Sequence, residues 1–259
     1  MQRLPVSKIM LGAFLIPWWN RARFLKALGF PTLFIVTVWG AWLFLDSMGV
    51  PYIGWTMFIF HWLSFCVFAV TCHRLMLIEE KDDIAYLVIH HSPIIFRFLL
   101  WSIALYFIVG VIESILMSII YNIADTNLTE YVSSANENAE NLVALSKKSQ
   151  AARYLASLPA LYVLSRLSLV LPSIAVDKPM TMRQSWKCTA GNGMRVFLTV
   201  GIFPASLNLI LGFLSRNEPT VIENSLSAIL VIVALAIGIF ALSLTYKEIA
   251  PKYKMPASP

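Results

Sequence analysis

The stretch "LPALYVLSRLSLVLPSIAVD", residues 158–177, decides how this chain is read. It is apolar and long enough for a helix that crosses a hydrocarbon core, which takes about 20 residues. Yet Arg166 stands in its middle. A guanidinium at the centre of a span costs roughly 2.5–3.5 kcal/mol on insertion scales. It therefore needs partners inside a bundle, and the rest of the chain has to supply them.

The whole chain supports a membrane setting. Of its 259 residues, 58% are hydrophobic and 13% charged, where soluble domains carry about 25% charged residues. The mean hydropathy is +0.72. The net charge of +6 reads as basic loops held at the cytoplasmic face. No basic patch interleaved with aromatics lies outside the apolar segments, which excludes nucleic acid as a partner. Cys66, Cys72 and Cys188 are scattered and odd in number, so they form neither a disulfide framework nor a zinc pair. They read as small core residues.

Hydropathy places six spans near 28–48, 52–78, 94–121, 153–176, 196–215 and 224–246. Fifteen of the twenty Lys and Arg residues then fall on one side and four on the other, with Arg166 the twentieth. The positive-inside rule puts both termini in the cytoplasm. The start, "MQRLPVSKIMLGAFLIPWWNRARF", mimics a signal peptide but lacks a small-residue cleavage site. Residues 7–28 read instead as a retained interfacial helix, with Trp18 and Trp19 at headgroup level. Residues 121–150 form a long outward-facing loop, whose second half extends the fourth span as a helix. Its "NLT" sequon matters only in a eukaryotic secretory setting.

A weak repeat runs through the chain. "RARFLKALGF", "IIFRFLLWSI" and "GMRVFLTVGI" each open a span after an amphipathic stretch, at 7–22, 82–93 and 178–194. Each is followed by two spans that close on a basic residue. The spacings Arg23 to Arg74, Arg97 to Arg166 and Arg195 to Lys247 are 51, 69 and 52 residues. The expectation is three parallel units of interfacial helix plus hairpin, at 7–78, 82–176 and 178–248, within one integral membrane domain. Chance similarity among apolar segments is the alternative.

The partners expected for Arg166 are polar residues at similar depth: Glu113 in the third span, His61 in the second and Asn208 in the fifth. Each sits on a stripe of small or polar residues at helical period, which favours close helix approach. Side chains lean toward the helix N-terminus, so Arg166 should reach toward the outer half and pair with Glu113. Two readings stay open: a charge pair that only holds the bundle together, or a polar ligand or proton site. Other motifs carry less. Adjacent His90 and His91 do not share a helix face for joint metal ligation. Glu79, Glu80, Asp82 and Asp83 read as a solvated turn. No phosphate loop, GxSxG elbow or HExxH is present, and nothing singles out Ser64, His61 and Glu113 as a triad. No catalytic residue, metal site or cofactor is expected.

The run "SRLSLVLPSIAVDKPMTMRQSWKCTAGN" resembles a motif of bacterial inner-membrane proteins similar to the membrane domain fused to some glycerophosphoryl diester phosphodiesterases. The matching positions are Arg166, Ser168, Pro172, Ser185, Trp186, Thr189, Gly191 and Asn192. "CHRLMLIEE" resembles an element at the end of that family's second span. The resemblance covers about a third of the chain. It implies a multi-helix membrane fold with interfacial helices and a bacterial source. It does not imply phosphodiesterase activity, because the catalytic part of those proteins is a separate soluble domain. Physically, Trp186 would anchor a helix at the interface. Lys178, Arg183, Lys187 and Arg195 would lie against anionic headgroups.

The sequence therefore leads to an all-α membrane protein with six transmembrane helices, about three cytoplasmic interfacial helices and a threefold hairpin repeat. Its expected role is non-catalytic handling or transport of a lipid or small amphiphile in the bacterial inner membrane. Its expected partners are membrane lipids, with a membrane protein partner or a second copy also open. The alternatives are an accessory subunit of a membrane complex and, more distantly, an intramembrane enzyme.

Overall fold

The computed structural model describes residues 3–49, 53–78, 92–134, 157–214 and 221–252. Among them every regular element is helical. The helices are α1 (Val6–Trp19), α2 (Arg21–Ser47), α3 (Ile53–Leu77), α4 (Ser92–Ser134), α5 (157–167), α6 (Val170–Ala175), α7 (Met182–Cys188) and α8 (Gly193–Val196). A π-helical turn (Phe197–Ile202) joins α8 to α9 (Phe203–Leu214). α10 (Val221–Ile249) ends in a short 3₁₀ turn.

Among the described residues five stretches are long and apolar enough to cross a membrane: Arg21–Trp42, Thr56–Leu77, Ser92–Ile120, Ser157–Ala175 and Ile229–Ile249. The expected sixth span, 196–215, is helical over 193–214 in three consecutive pieces. Within it the wider π turn comes directly before Pro204, which has no N–H for the carbonyl of Val200.

Other boundaries also move. The first apolar stretch begins at Arg21, because Asn20 separates α1 from α2. α1 packs against α10 and the π turn, burying Ile9 and Ala13, with Phe14 edge-on to Phe203. The first part of the expected 121–150 loop continues α4 as helix through Ser134. The remainder of that loop lies outside the described residues, as do the second interfacial stretch, His90, His91 and the 79–83 acidic group.

α3 is the hub, touching α2, α4, α6 and α10. Its second half carries the core: Cys66, Phe68, Val70, Cys72 and His73 are all buried beside Phe98, Leu169 and Val170. The polar residues of this core bond mainly to helix carbonyls. The hydroxyls of Thr71, Ser173, Ser243 and Thr245 donate to carbonyls three or four residues back. That removes most of the cost of burying a hydroxyl in an apolar medium. A few polar contacts then tie helix to helix. His73 Nδ1 lies 2.8 Å from Ser243 Oγ, and Arg74 Nη1 donates to the Ala175 carbonyl at 2.9 Å.

Candidate functional site

The site begins with a chain reversal. α6 ends with Asp177 at φ 54°, in the left-handed region. The N–H groups of Lys178 and Asp177 donate to the carbonyls of Ser173 and Ile174. This is the Schellman pattern, here with Asp where Gly is usual. The chain then returns alongside the helix it has just left. Met180 N–H meets Ser173 Oγ at 3.1 Å, and Ser185 Oγ donates to the Arg166 carbonyl at 2.6 Å. α7 starts on a capping box, with Gln184 N–H donating to Thr181 Oγ1 and Thr181 N–H to Gln184 Oε1. It ends after two turns, and Gly191 (φ 78°) turns the chain into α8.

This return path supplies the partners of Arg166. Nε donates to Thr189 Oγ1 at 3.0 Å, one terminal nitrogen to the Trp186 carbonyl at 2.7 Å, and the other to the Tyr162 hydroxyl at 3.4 Å. The guanidinium carbon lies 3.7 Å from the Trp186 ring centroid. A desolvated cation–π contact of this kind contributes about 2 kcal/mol. Arg166 is 9% exposed, and none of these partners carries a charge.

The expected pair with Glu113 is therefore replaced. A hydroxyl, a carbonyl and an indole on the returning segment stand closer to the guanidinium than a carboxylate on α4. Nor do Glu113 and His61 share a depth. Trp62 bonds Ser102 at 2.8 Å and packs on Tyr106, so Glu113 lies seven residues beyond that level. Seven residues of helix span roughly 10 Å. Glu113 is half-buried on α4. His61 is half-buried on α3, and its Nδ1 has no partner among the described residues. Ser64 Oγ donates to the His61 carbonyl, not to its ring. Asn208 lies on α9, its side chain outside the described set. Of the three expected cluster residues whose side chains are described, only Arg166 enters the site.

The interface residues divide. Trp18 and Trp19 are exposed at the end of α1. Arg183 and Lys187 are exposed on α7. Trp186 is partly exposed but turns its ring onto Arg166. Arg195 is half-buried and donates to the Leu4 carbonyl at 2.8 Å, while Asn192 Oδ1 accepts from the Leu4 N–H at 2.9 Å. The segment before α1 is thus strapped to the start of α8.

Between these groups lies a cavity of about 320 Å³, lined by Tyr162, Arg166 and residues 191–195. Among the described residues no Asp or Glu lines it. Gly193 forms part of its wall because nothing larger fits: a Cβ there would come within 2.7 Å of the Tyr162 hydroxyl. Just behind it, burial pushes the Cys188 thiol up to about 11, with Arg166 pulling weakly the other way. That thiol stays protonated and inert. Among the described residues no three His, Cys, Asp or Glu side chains come together as a metal site.

Tyr162, Thr189 and Gly193 were not singled out from sequence by their chemistry. The signal available was "TMRQ" at 181–184, a capping-box pattern that starts a short helix rather than a long amphipathic one. Comparison of the chain with protein-family models, curated proteins and solved structures gave no match.

Proposed function

We propose that this chain is a non-catalytic integral membrane protein that holds a lipid or small amphiphile at the Arg166 cavity. The observation that carries this reading is a buried guanidinium lining an open polar cavity, in a chain with five membrane-length apolar stretches. An arginine needed only to hold helices together has no use for an adjoining space. The 193–214 helix serves as a sixth span. The excess of Lys and Arg on one side sets both termini in the cytoplasm of a bacterial inner membrane. The cavity then lies toward that face, within reach of the headgroup layer. Six of the positions that resemble the phosphodiesterase-linked membrane domain build the site or touch Arg166: Arg166 itself, Ser185, Trp186, Thr189, Gly191 and Asn192.

Native mass spectrometry of the chain, extracted in mild detergent from its source membrane, tests the reading. A small amphiphile retained in stoichiometric amount, and lost in Arg166→Ala and Arg166→Lys, supports it. A stoichiometric protein partner with no retained small molecule overturns it in favour of an accessory subunit.

A further inference from the structure

The charges around the cavity restrict what can fill it. Arg166 has five N–H groups and uses three of them on Thr189, Trp186 and Tyr162. The other two have no protein acceptor among the described residues. A buried charge is normally paired with an opposite charge, yet here every partner is neutral. Arg195, which lines the same cavity, spends one N–H on the Leu4 carbonyl, and its other four have no acceptor among the described residues. Among the described residues the cavity wall is thus doubly cationic and carries no carboxylate.

The backbone adds to this. Val196 N–H, bonded to the Asn192 carbonyl at 2.9 Å, is the first to close a turn of the helix that runs on to Leu214. Gly193, Met194 and Arg195 precede it and bring the uncapped first turn to the cavity, since the Asn192 side chain is spent on Leu4. Guanidinium forks and amides at a helix start both select oxyanions with several acceptor oxygens. A cation or a neutral sugar would leave both arginines uncompensated.

We infer that the cavity between Arg166 and Arg195 takes an oxyanion of the phosphate class, compensating the buried Arg166 charge. This rests on the reading of the cavity as the ligand site and names the chemistry of its ligand. The phosphate can come from a phospholipid headgroup or from a free phosphate in the water. At about 320 Å³ the space suits a headgroup rather than a whole lipid.

The test uses the full chain, delipidated in detergent, with three probes: dioleoylphosphatidylglycerol, dioleoylglycerol and inorganic phosphate. The two lipids share their acyl chains and differ in the phosphate-bearing headgroup. The expected result is a preference for phosphatidylglycerol over the diacylglycerol of at least about tenfold. Arg195→Gln should lower that preference about tenfold or more, with partial rescue by Arg195→Lys. Arg195 also holds Leu4, so a second variant, beginning with Met directly before Val6, removes that strap without touching the guanidinium. It should keep the preference. If it loses the preference as Arg195→Gln does, the effect belongs to the strap and the inference fails. Equal binding of both lipids, indifferent to Arg195→Gln, also overturns it, yet leaves the amphiphile reading standing. Inorganic phosphate that binds alone and displaces phosphatidylglycerol supports the oxyanion chemistry, assigns a water-soluble source and overturns the amphiphile reading. No binding of any of the three overturns the inference, and the source-membrane experiment then decides the amphiphile reading by itself.

Discussion

Two stretches of α4, 92–105 and 106–120, are made of similar residues and behave differently. In the first, Ile94, Ile95, Phe98, Ser102 and Leu105 are buried against α3 and its neighbours. In the second, Tyr106, Phe107, Val111, Ile115 and Ile119 are exposed. Only 6% of the apolar window in α4 is buried, against 50% in α3. An apolar surface of that extent is stable when its solvent is hydrocarbon. The contrast runs through the bundle. One end is packed, with hydroxyls satisfied in place and cross-helix polar contacts at His73, Arg74 and Arg166. Among the described residues the other end is splayed, and it holds His61 and Glu113. Polar residues at the packed end therefore contribute to stability, and those at the splayed end contribute little.

The largest effect should separate Arg166 from Glu113. Arg166→Ala removes three hydrogen bonds and a cation–π contact, and should destabilise the chain by about 3 kcal/mol. Glu113→Gln should stay within about 0.5 kcal/mol. Equilibrium unfolding in mixed micelles reads both. A cycle between Arg166→Ala and Glu113→Ala should be additive, whereas one between Arg166→Ala and Thr189→Ala should show coupling of about 1 kcal/mol. Coupling to Glu113 would overturn the contrast between the two ends.

The two histidines give the next test. His73 is fully buried, and its Nδ1 lies against Ser243 Oγ. Its other ring nitrogen has no partner among the described residues. Ser243→Ala leaves the ring without this contact and should cost about 2 kcal/mol. His61→Ala, at the splayed end, should cost less than half of that in the same assay. A smaller effect follows from Thr181→Ala, which opens the capping box of α7. The expected loss is about 1 kcal/mol. Because α7 carries Trp186 and Thr189, ligand binding at the Arg166 cavity should weaken along with it.

The helices were largely legible in the sequence because an apolar run of about 20 residues has few other uses. Arg166 stood out for the same reason, as a charge where none belongs. Its partners did not. Glu113 was chosen by depth counted along straight helices. The chain instead breaks at 168–169, reverses at Asp177 and brings Trp186 and Thr189 back onto Arg166. A reversal of that kind is usually announced by glycine, and here an aspartate adopts the left-handed conformation in its place. Hydropathy and periodicity do not register a one-residue choice of φ.

That residue also supplies the smallest and most specific test. Asp177 adopts φ 54°, which costs a residue with a Cβ more than it costs glycine. Its carboxylate offers little in return. The contact with Arg97 is 4.0 Å long, between side chains 59% and 68% exposed, and an ion pair of that kind contributes little. Asp177→Gly should therefore stabilise the packed end, by about 0.5 kcal/mol, with ligand binding at the Arg166 cavity unchanged. Asp177→Val should do the opposite and by more, because a β-branched residue at positive φ is strained. Val would also weaken binding, since the reversal sets the position of α7. If both substitutions were neutral, the reversal at Asp177 would not be what places Trp186 and Thr189 on Arg166, and the packing of α6 on α3 and α4 would have to carry that role alone.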